Sequence, residues 1–138
     1  LTLGVLFVNG LIQLGVMELF GEIKTASDQL GVEEGSLNPS DVWLLLLSTS
    51  LVAPVVEEFL FRGLLYRWLR ERRGVRAAAV ISAAIFAVTH FIPLLMPSIF
   101  VLGLALAWVA ERYGSLYPPL ALHATFNAIA TLALVAAG

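Results

Sequence analysis

The sequence predicts an all-α membrane protein, a polytopic helix bundle with about five transmembrane segments. Hydrophobic residues make up 59% of the 138 positions and charged residues 13%, with a mean hydropathy of +0.91. Soluble globular domains are only about 45–50% apolar. The apolar runs are continuous rather than alternating and are rich in leucine and alanine, which favours helices over strands.

The predicted segments follow the uncharged stretches of the chain, because a spanning helix needs roughly 20 apolar residues. Their approximate ranges are 1–20, 42–66, 77–95, 97–111 and 118–137. Pro93 and Pro97 fall where the long uncharged run must break or turn. Residues 21–41 form an acidic extramembrane loop. We interpret residues 1–138 as one domain, the core of a longer chain, since Leu1 already lies within an apolar stretch.

Basic residues cluster between the second and third segments, where five of the eight are found: Arg67, Arg70, Arg72, Arg73 and Arg76. Arg112 lies between the fourth and fifth segments. Counting crossings places loops 67–76 and 111–117 on one side, and the positive-inside bias predicts that this side is cytoplasmic. We therefore expect an integral membrane protein, in the plasma (inner) membrane if it is bacterial.

The charge balance and the cysteine count exclude several classes of protein. A net charge of −2 excludes a basic nucleic-acid-binding surface, so no nucleic-acid partner is expected. Without cysteine there are no disulfides, no thiol catalysis and no iron–sulfur cluster. The absence of an HExxH motif disfavours a zinc protease, and the absence of a G-x-S-x-G motif disfavours a serine nucleophile. Both aspartates, Asp28 and Asp41, belong to the acidic loop, which disfavours an intramembrane aspartyl protease.

The second, third and fifth apolar segments contain six charged, imidazole or amide side chains. They are Glu57, Glu58 and Arg62 in the second segment, His90 in the third, and His123 and Asn127 in the fifth. A charged group at the middle of a membrane helix costs about 2.5–3.5 kcal/mol on insertion scales. Such residues need partners or a water-filled cavity, and they indicate a functional site between the helices.

Spacing separates the roles expected of these residues. Glu58 and Arg62 are four residues apart and can pair on one helix face. Glu57 is turned about 100° from Glu58 and lacks that partner, which suits it to general-base chemistry in a low-dielectric cavity. His123 and Asn127, also four apart, can present donors in one direction. A purely structural ion pair and interhelical hydrogen bonds are the simpler interpretations of these pairs.

Three short motifs follow one another on the predicted helices. Residues 57–62 (EEFLFR) match EExxxR, residues 86–90 (FAVTH) look like FxxxH, and residues 123–127 (HATFN) look like HxxxN. In this order the motifs resemble those of the CAAX-protease and bacteriocin-processing (CPBP) family of intramembrane glutamic endopeptidases. Each motif alone would occur often by chance, whereas three in order would not.

The resemblance implies a metal-independent peptide hydrolase that needs no cofactor and has its catalytic cavity between helices. Glu57 would activate water, and His90 would help to hold and polarise it. His123 and Asn127 would donate hydrogen bonds to the oxyanion of the tetrahedral intermediate.

Three further residues would support this site by resemblance: Glu58 and Arg62 as the pair that fixes the helix, and Phe86 of the second motif. Eukaryotic members of the family trim the last three residues from prenylated CAAX proteins. The expected partners are therefore a peptide or lipidated protein substrate and membrane lipids.

Two alternatives use the same residues. Glu57, His90 and His123 could instead be the ligands of a zinc ion in a metal-dependent membrane hydrolase. The protein could also be a non-proteolytic membrane immunity or interaction protein, or a proton-coupled transporter with a Glu/His relay. Some family members are proposed to act in bacteriocin self-immunity.

Overall fold

A computed structural model describes residues 38–137, which are helical almost throughout and contain no strand. The α-helices are α1 Pro39–Leu47, α2 Ala53–Glu58, α3 Arg67–Val88, α4 Met96–Tyr113 and α5 Tyr117–Ala137. Two π-helical segments, Ser48–Val52 and Phe59–Tyr66, join α1 to α2 and α2 to α3. The predicted all-α class is confirmed for this part of the chain. The predicted segment 1–20 and residues 21–37 of the acidic loop lie outside the described residues.

The first helix begins at Pro39, three residues before the predicted start, because a capping box precedes it. The Asn38 side chain accepts hydrogen bonds from the backbone N–H groups of Ser40 and Asp41, and the Asp41 carboxylate accepts one from the Asn38 N–H. Pro39 occupies the first turn, where a missing N–H has no intrahelical partner to lose.

The π-helical segments lie on either side of the two adjacent glutamates, Glu57 and Glu58. Pro54 has no N–H to donate, and its ring would clash with the carbonyl four residues earlier. The helix widens just before it, so that the Ala53 N–H donates to the oxygen of Ser48, five residues back. Such widened turns are frequent at functional sites.

The chain reverses direction at Gly74, which has φ 77° and ψ 169°, a backbone conformation that is essentially confined to glycine. The helical residues on the two sides of Gly74 pack against each other. The rings of Phe61 and Phe86 are 5.0 Å apart, and Tyr66 shares a hydrophobic cluster with Ala78. Residues 67–76, predicted to be a loop, are helical on both sides of this one-residue turn.

The third predicted segment ends earlier than expected, at Val88 rather than at residue 95. Phe91 has a positive φ of 55°, and Pro93 cannot supply the N–H that would continue the helix. The chain then enters α4 at Met96, with Pro97 in the first turn.

Two helical stretches of residues 38–137 are long and apolar enough to cross a membrane: Pro39–Val88 and Tyr117–Ala136. The first is folded in two at Gly74. Two candidate spans are fewer than the five predicted, and five crossings stay a prediction.

Close packing of α3 on α4 brings the backbone of α4 towards the interior. A Cβ placed on Gly103 would lie 3.0 Å from the Cα of Ala83, a distance too short for an ordinary contact. Only glycine allows this approach, and the buried carbonyl of Gly103 becomes a partner for a buried side chain, as described below.

Substitutions at Gly74 and Gly114 would test the effect of backbone strain alone, because neither glycine has neighbours that an added side chain would clash with. A Cβ added to Gly74 or to Gly114 would meet no atom within 4 Å, but Gly114 (φ 61°, ψ 19°) is in the left-handed region that asparagine tolerates. We expect Gly74→Asn to destabilise the protein by about 1–3 kcal/mol and Gly114→Asn by less than about 1 kcal/mol. Thermal melts in detergent, followed by circular dichroism, would measure both, and equal Tm values would contradict this account of the turn.

Candidate active site

The centre of the bundle holds the guanidinium of Arg62, which is only 1% exposed. Its Nη1 donates to Glu58 Oε1 at 2.9 Å, which is the pair that the spacing predicts. Its Nη2 donates to the carbonyl of Gly103 at 3.2 Å, and its carbon Cζ lies 4.4 Å from the centroid of the Phe86 ring. One cation therefore links the second π-helical segment to α2, α3 and α4.

The imidazole of His123, in α5, lies between the two adjacent carboxylates. Its Nδ1 is 2.9 Å from Glu58 Oε1, and its Nε2 is 3.6 Å from Glu57 Oε2. A carboxylate that is already paired with Arg62 accepts hydrogen bonds, so Nδ1 carries the proton and donates to Glu58. This bond fixes the ring and turns Nε2 towards Glu57.

Glu57 and Glu58 differ in how their oxygens are used. Oε1 of Glu58 accepts from both Arg62 and His123, and the residue is 1% exposed. Glu57 is partly exposed, and its buried Oε2 has no hydrogen-bond partner in the described structure, because 3.6 Å from Nε2 is too long for a hydrogen bond. Oε2 of Glu58 lacks a partner as well, so the two residues differ in the engaged Oε1 of Glu58 and in the partial exposure of Glu57.

Phe86 connects His90 to the rest of the site. Its buried ring makes edge-to-face contacts with His90, at 4.8 Å between centroids, and with His123, at 5.7 Å. The Phe86 carbonyl also accepts a hydrogen bond from His90 Nδ1 at 2.7 Å. Because a carbonyl only accepts, this nitrogen carries the proton, and Nε2 of a neutral His90 has a lone pair available.

Asn127 lies one turn beyond His123 on α5 and contacts the first π-helical segment. Its Nδ2 donates to the backbone oxygen of Thr49 at 2.8 Å, and the Thr49 hydroxyl lies 3.0 Å from that of Thr131. One amide N–H is therefore used, and an asparagine amide has a second N–H to donate.

Sequence reasoning missed two backbone partners at this site, the carbonyls of Gly103 and Thr49. The small residues Ala79, Ala83 and Ala87 on α3 recur every fourth position, as do Gly103 and Ala107 on α4. Such stripes are typical of closely packed membrane helices. They could have indicated the approach at Gly103, whereas no sequence signal marks the Thr49 carbonyl.

A second polar cluster, formed by Tyr66, Arg70 and Glu111, holds the turn at Gly74 against the end of α4. Arg70 Nε and Nη2 donate to the two oxygens of Glu111, both at 2.7 Å, and the Tyr66 hydroxyl donates to Glu111 Oε2 at 3.0 Å. The hydrogen bonds from Arg70 lower the pKa of the Glu111 carboxyl from its ordinary value. Glu111 is therefore ionised at neutral pH.

Histidine and carboxylate side chains are the donors that a zinc ion would need here. Among residues 38–137, no group of three or more His, Asp or Glu residues has the arrangement of a metal site. His123 Nδ1 is occupied by Glu58 and His90 Nδ1 by the Phe86 carbonyl, so each histidine could offer only Nε2.

The fold and the site define a class, helical membrane proteins with a carboxylate–histidine–arginine network buried between helices. Within that class, residues 39–129 match the family described as type II CAAX prenyl endopeptidase Rce1-like, and this range contains all three motifs. The match covers well over half of the chain, so the chain belongs to this family, as the resemblance of its motifs predicts. Membership implies a protease of the CAAX prenyl endopeptidase type. No curated protein and no solved structure matches the chain.

The buried and the exposed ion pair should respond differently to loss of a carboxylate. Glu58→Gln leaves the Arg62 cation buried without its counter-charge, which costs about 3–5 kcal/mol in comparable cases. Glu111→Gln breaks a partly exposed pair with Arg70, for which we expect less than about 1 kcal/mol. Thermal melts of the two variants beside the wild type would measure this, and a Glu58→Gln protein with an unchanged Tm would contradict the assigned role of Arg62.

Proposed function

We propose that this protein is a metal-independent intramembrane endopeptidase in which Glu57 activates the water that attacks the peptide bond. The observation that carries the proposal is the contrast between the adjacent glutamates. Glu58 is 1% exposed and its Oε1 accepts from both Arg62 and His123, whereas Glu57 is partly exposed and accepts no hydrogen bond among the described residues. Oε2 is without a partner in both glutamates, so the contrast lies in the engaged Oε1 of Glu58 and in the access of water to Glu57. A general base needs an oxygen that is free to take a proton from water.

The neighbouring imidazole faces Glu57. Nδ1 of His123 donates to Glu58, and Nε2 lies 3.6 Å from Glu57 Oε2. When Nε2 also carries a proton, it can stabilise an oxyanion that forms beside Glu57.

The remaining two candidates have the chemistry that the proposal needs. Asn127 keeps one N–H after its bond to Thr49, and this N–H is the second oxyanion donor. The free Nε2 lone pair of His90 accepts a hydrogen bond from the attacking water, while Phe86 holds the ring in place. Water would then give one proton to Glu57, which later returns it to the leaving amine.

The substrate class follows from family membership. We propose that the protein cleaves a prenylated CAAX-type or other hydrophobic peptide. Substrate and lipids would share the space around the apolar helices, whose outward faces carry exposed leucine, valine and phenylalanine side chains.

We also propose five membrane crossings, with the turns at 67–76 and 111–117 on the cytoplasmic side. The bidentate pair of Arg70 and Glu111 supports this arrangement, because it places the two turns at the same end of the bundle. Five arginines surround the turn at Gly74, which is the charge excess typical of cytoplasmic segments.

Glu57→Gln should abolish peptide cleavage and leave the fold intact. Loss of a general base typically lowers the rate by about 10²–10⁴-fold. The glutamine removes no partner of Arg62, so the Tm should stay within experimental error of the wild type. Cleavage of a fluorogenic farnesylated peptide by the purified protein in lipid nanodiscs would measure turnover, and retained turnover would rule out Glu57 as the base.

Exhaustive chelation should leave the activity unchanged. The protein would be dialysed against EDTA and 1,10-phenanthroline, and its metal content would be measured by mass spectrometry before assay. Activity that disappears on chelation and returns with one equivalent of zinc would instead favour a metal site built from Glu57, His90 and His123. A protein with wild-type Tm that cleaves no peptide under any condition would favour a non-proteolytic role.

A further inference from the structure

An apolar groove of about 450 Å³ has the buried Glu58 among its lining residues. Arg67, nine residues further along the same chain segment, lines it as well. The intervening walls are mainly apolar and include Phe59, Leu116 and Leu120. Clefts of this size and lining are typical binding sites for small ligands and peptide ends.

The face of α5 that lines the groove also carries the candidate oxyanion donors. Leu120 stands three residues before His123, and Asn127 four residues after it, so the three share one helix face. An extended chain lying in the groove would therefore pass from the candidate oxyanion donors towards Arg67.

Among residues 38–137 no partner is found for the guanidinium groups of Arg67, Arg73 and Arg76, and of these three only Arg67 lines the groove. Arg62 and Arg70 are engaged by carboxylates, and Arg72 stacks on Trp68 at 4.4 Å. The Arg67 side chain is exposed. An unpaired cation in the lining of an apolar groove complements an apolar ligand that ends in a negative charge.

The length of the groove sets the length of that ligand. Nine residues of helix from Glu58 to Arg67 span at most about 13 Å at 1.5 Å per residue, and a π-helical segment is shorter than this. An extended peptide covers about 10–11 Å in three residues. A carboxylate three residues beyond a peptide bond held near Glu57 would therefore come within reach of the long Arg67 side chain.

We propose that Arg67 anchors the terminal carboxylate of a substrate whose C-terminal residues lie in this groove. Arg67 is a specificity-determining residue and takes no part in bond cleavage. This assignment rests on the proposed endopeptidase function and adds to it the residue that recognises the free C-terminus.

Two peptides that differ only in their last group test the proposal. Both are farnesylated, fluorogenic and end in Cys-Val-Ile-Met, one as the free acid and the other as the amide. In phosphatidylcholine nanodiscs we expect the wild type to have about tenfold lower KM for the acid, which is the value of one hydrogen bond to a charged group. Arg67→Gln should raise the KM for the acid to that for the amide and leave kcat unchanged, while Arg67→Lys should keep part of the preference.

Arg73→Gln is the matched control, because Arg73 is an exposed arginine of the same turn that does not line the groove. It should keep the wild-type preference for the acid. Equal KM values for acid and amide in the wild type would overturn the proposal. So would an Arg67→Gln effect that is the same for both peptides and appears only when phosphatidylglycerol is added, since Arg67 would then be a contact for lipid headgroups.

A binding measurement separates this proposal from the proposed function. Binding of the two peptides to Glu57→Gln protein, with and without Arg67→Gln, needs no turnover. If the wild type cleaves neither peptide, the proposed function fails, but tighter binding of the acid that depends on Arg67 still supports the anchor. Equal binding of acid and amide, beside normal Glu57-dependent cleavage, would remove the anchor and leave the endopeptidase proposal in place.

Discussion

Burial of one guanidinium, that of Arg62, is the constraint on which the described structure depends. A buried cation is tolerated only when hydrogen bonds and a counter-charge replace its water. Here the replacements come from separate elements: the Glu58 carboxylate on α2, the Gly103 carbonyl on α4 and the Phe86 ring on α3. The helices must therefore assemble in one arrangement for this charge to be satisfied, and the site is assembled by the same contacts.

This constraint also divides the work between two adjacent carboxylates of identical chemistry. Glu58 is held by Arg62 and in turn orients His123, while Glu57 meets only the far edge of the same imidazole ring. Glu58 thus positions the ring that would serve Glu57 in the proposed mechanism.

Sequence patterns predicted the parts of this structure that depend on local chemistry. The long uncharged runs predicted the helices, and the four-residue spacing predicted the pair of Glu58 and Arg62. Backbone partners were beyond reach, since the carbonyl of Thr49 is chemically like any other and acquires its role only from the packing of α5. The one-residue turn was missed for a related reason: charged residues around Gly74 indicate exposure equally well for a loop and for two helix ends.

The one-residue turn at Gly74 makes the helical hairpin around it intolerant of changes in chain length. A flexible loop could absorb an added or deleted residue, but here helix follows directly on both sides of Gly74. One inserted residue would rotate the following helix by about 100° and carry Phe86 away from Arg62. The number of residues at this turn is thus coupled to the orientation of a side chain deep in the bundle, and chain length there is as constrained as residue identity.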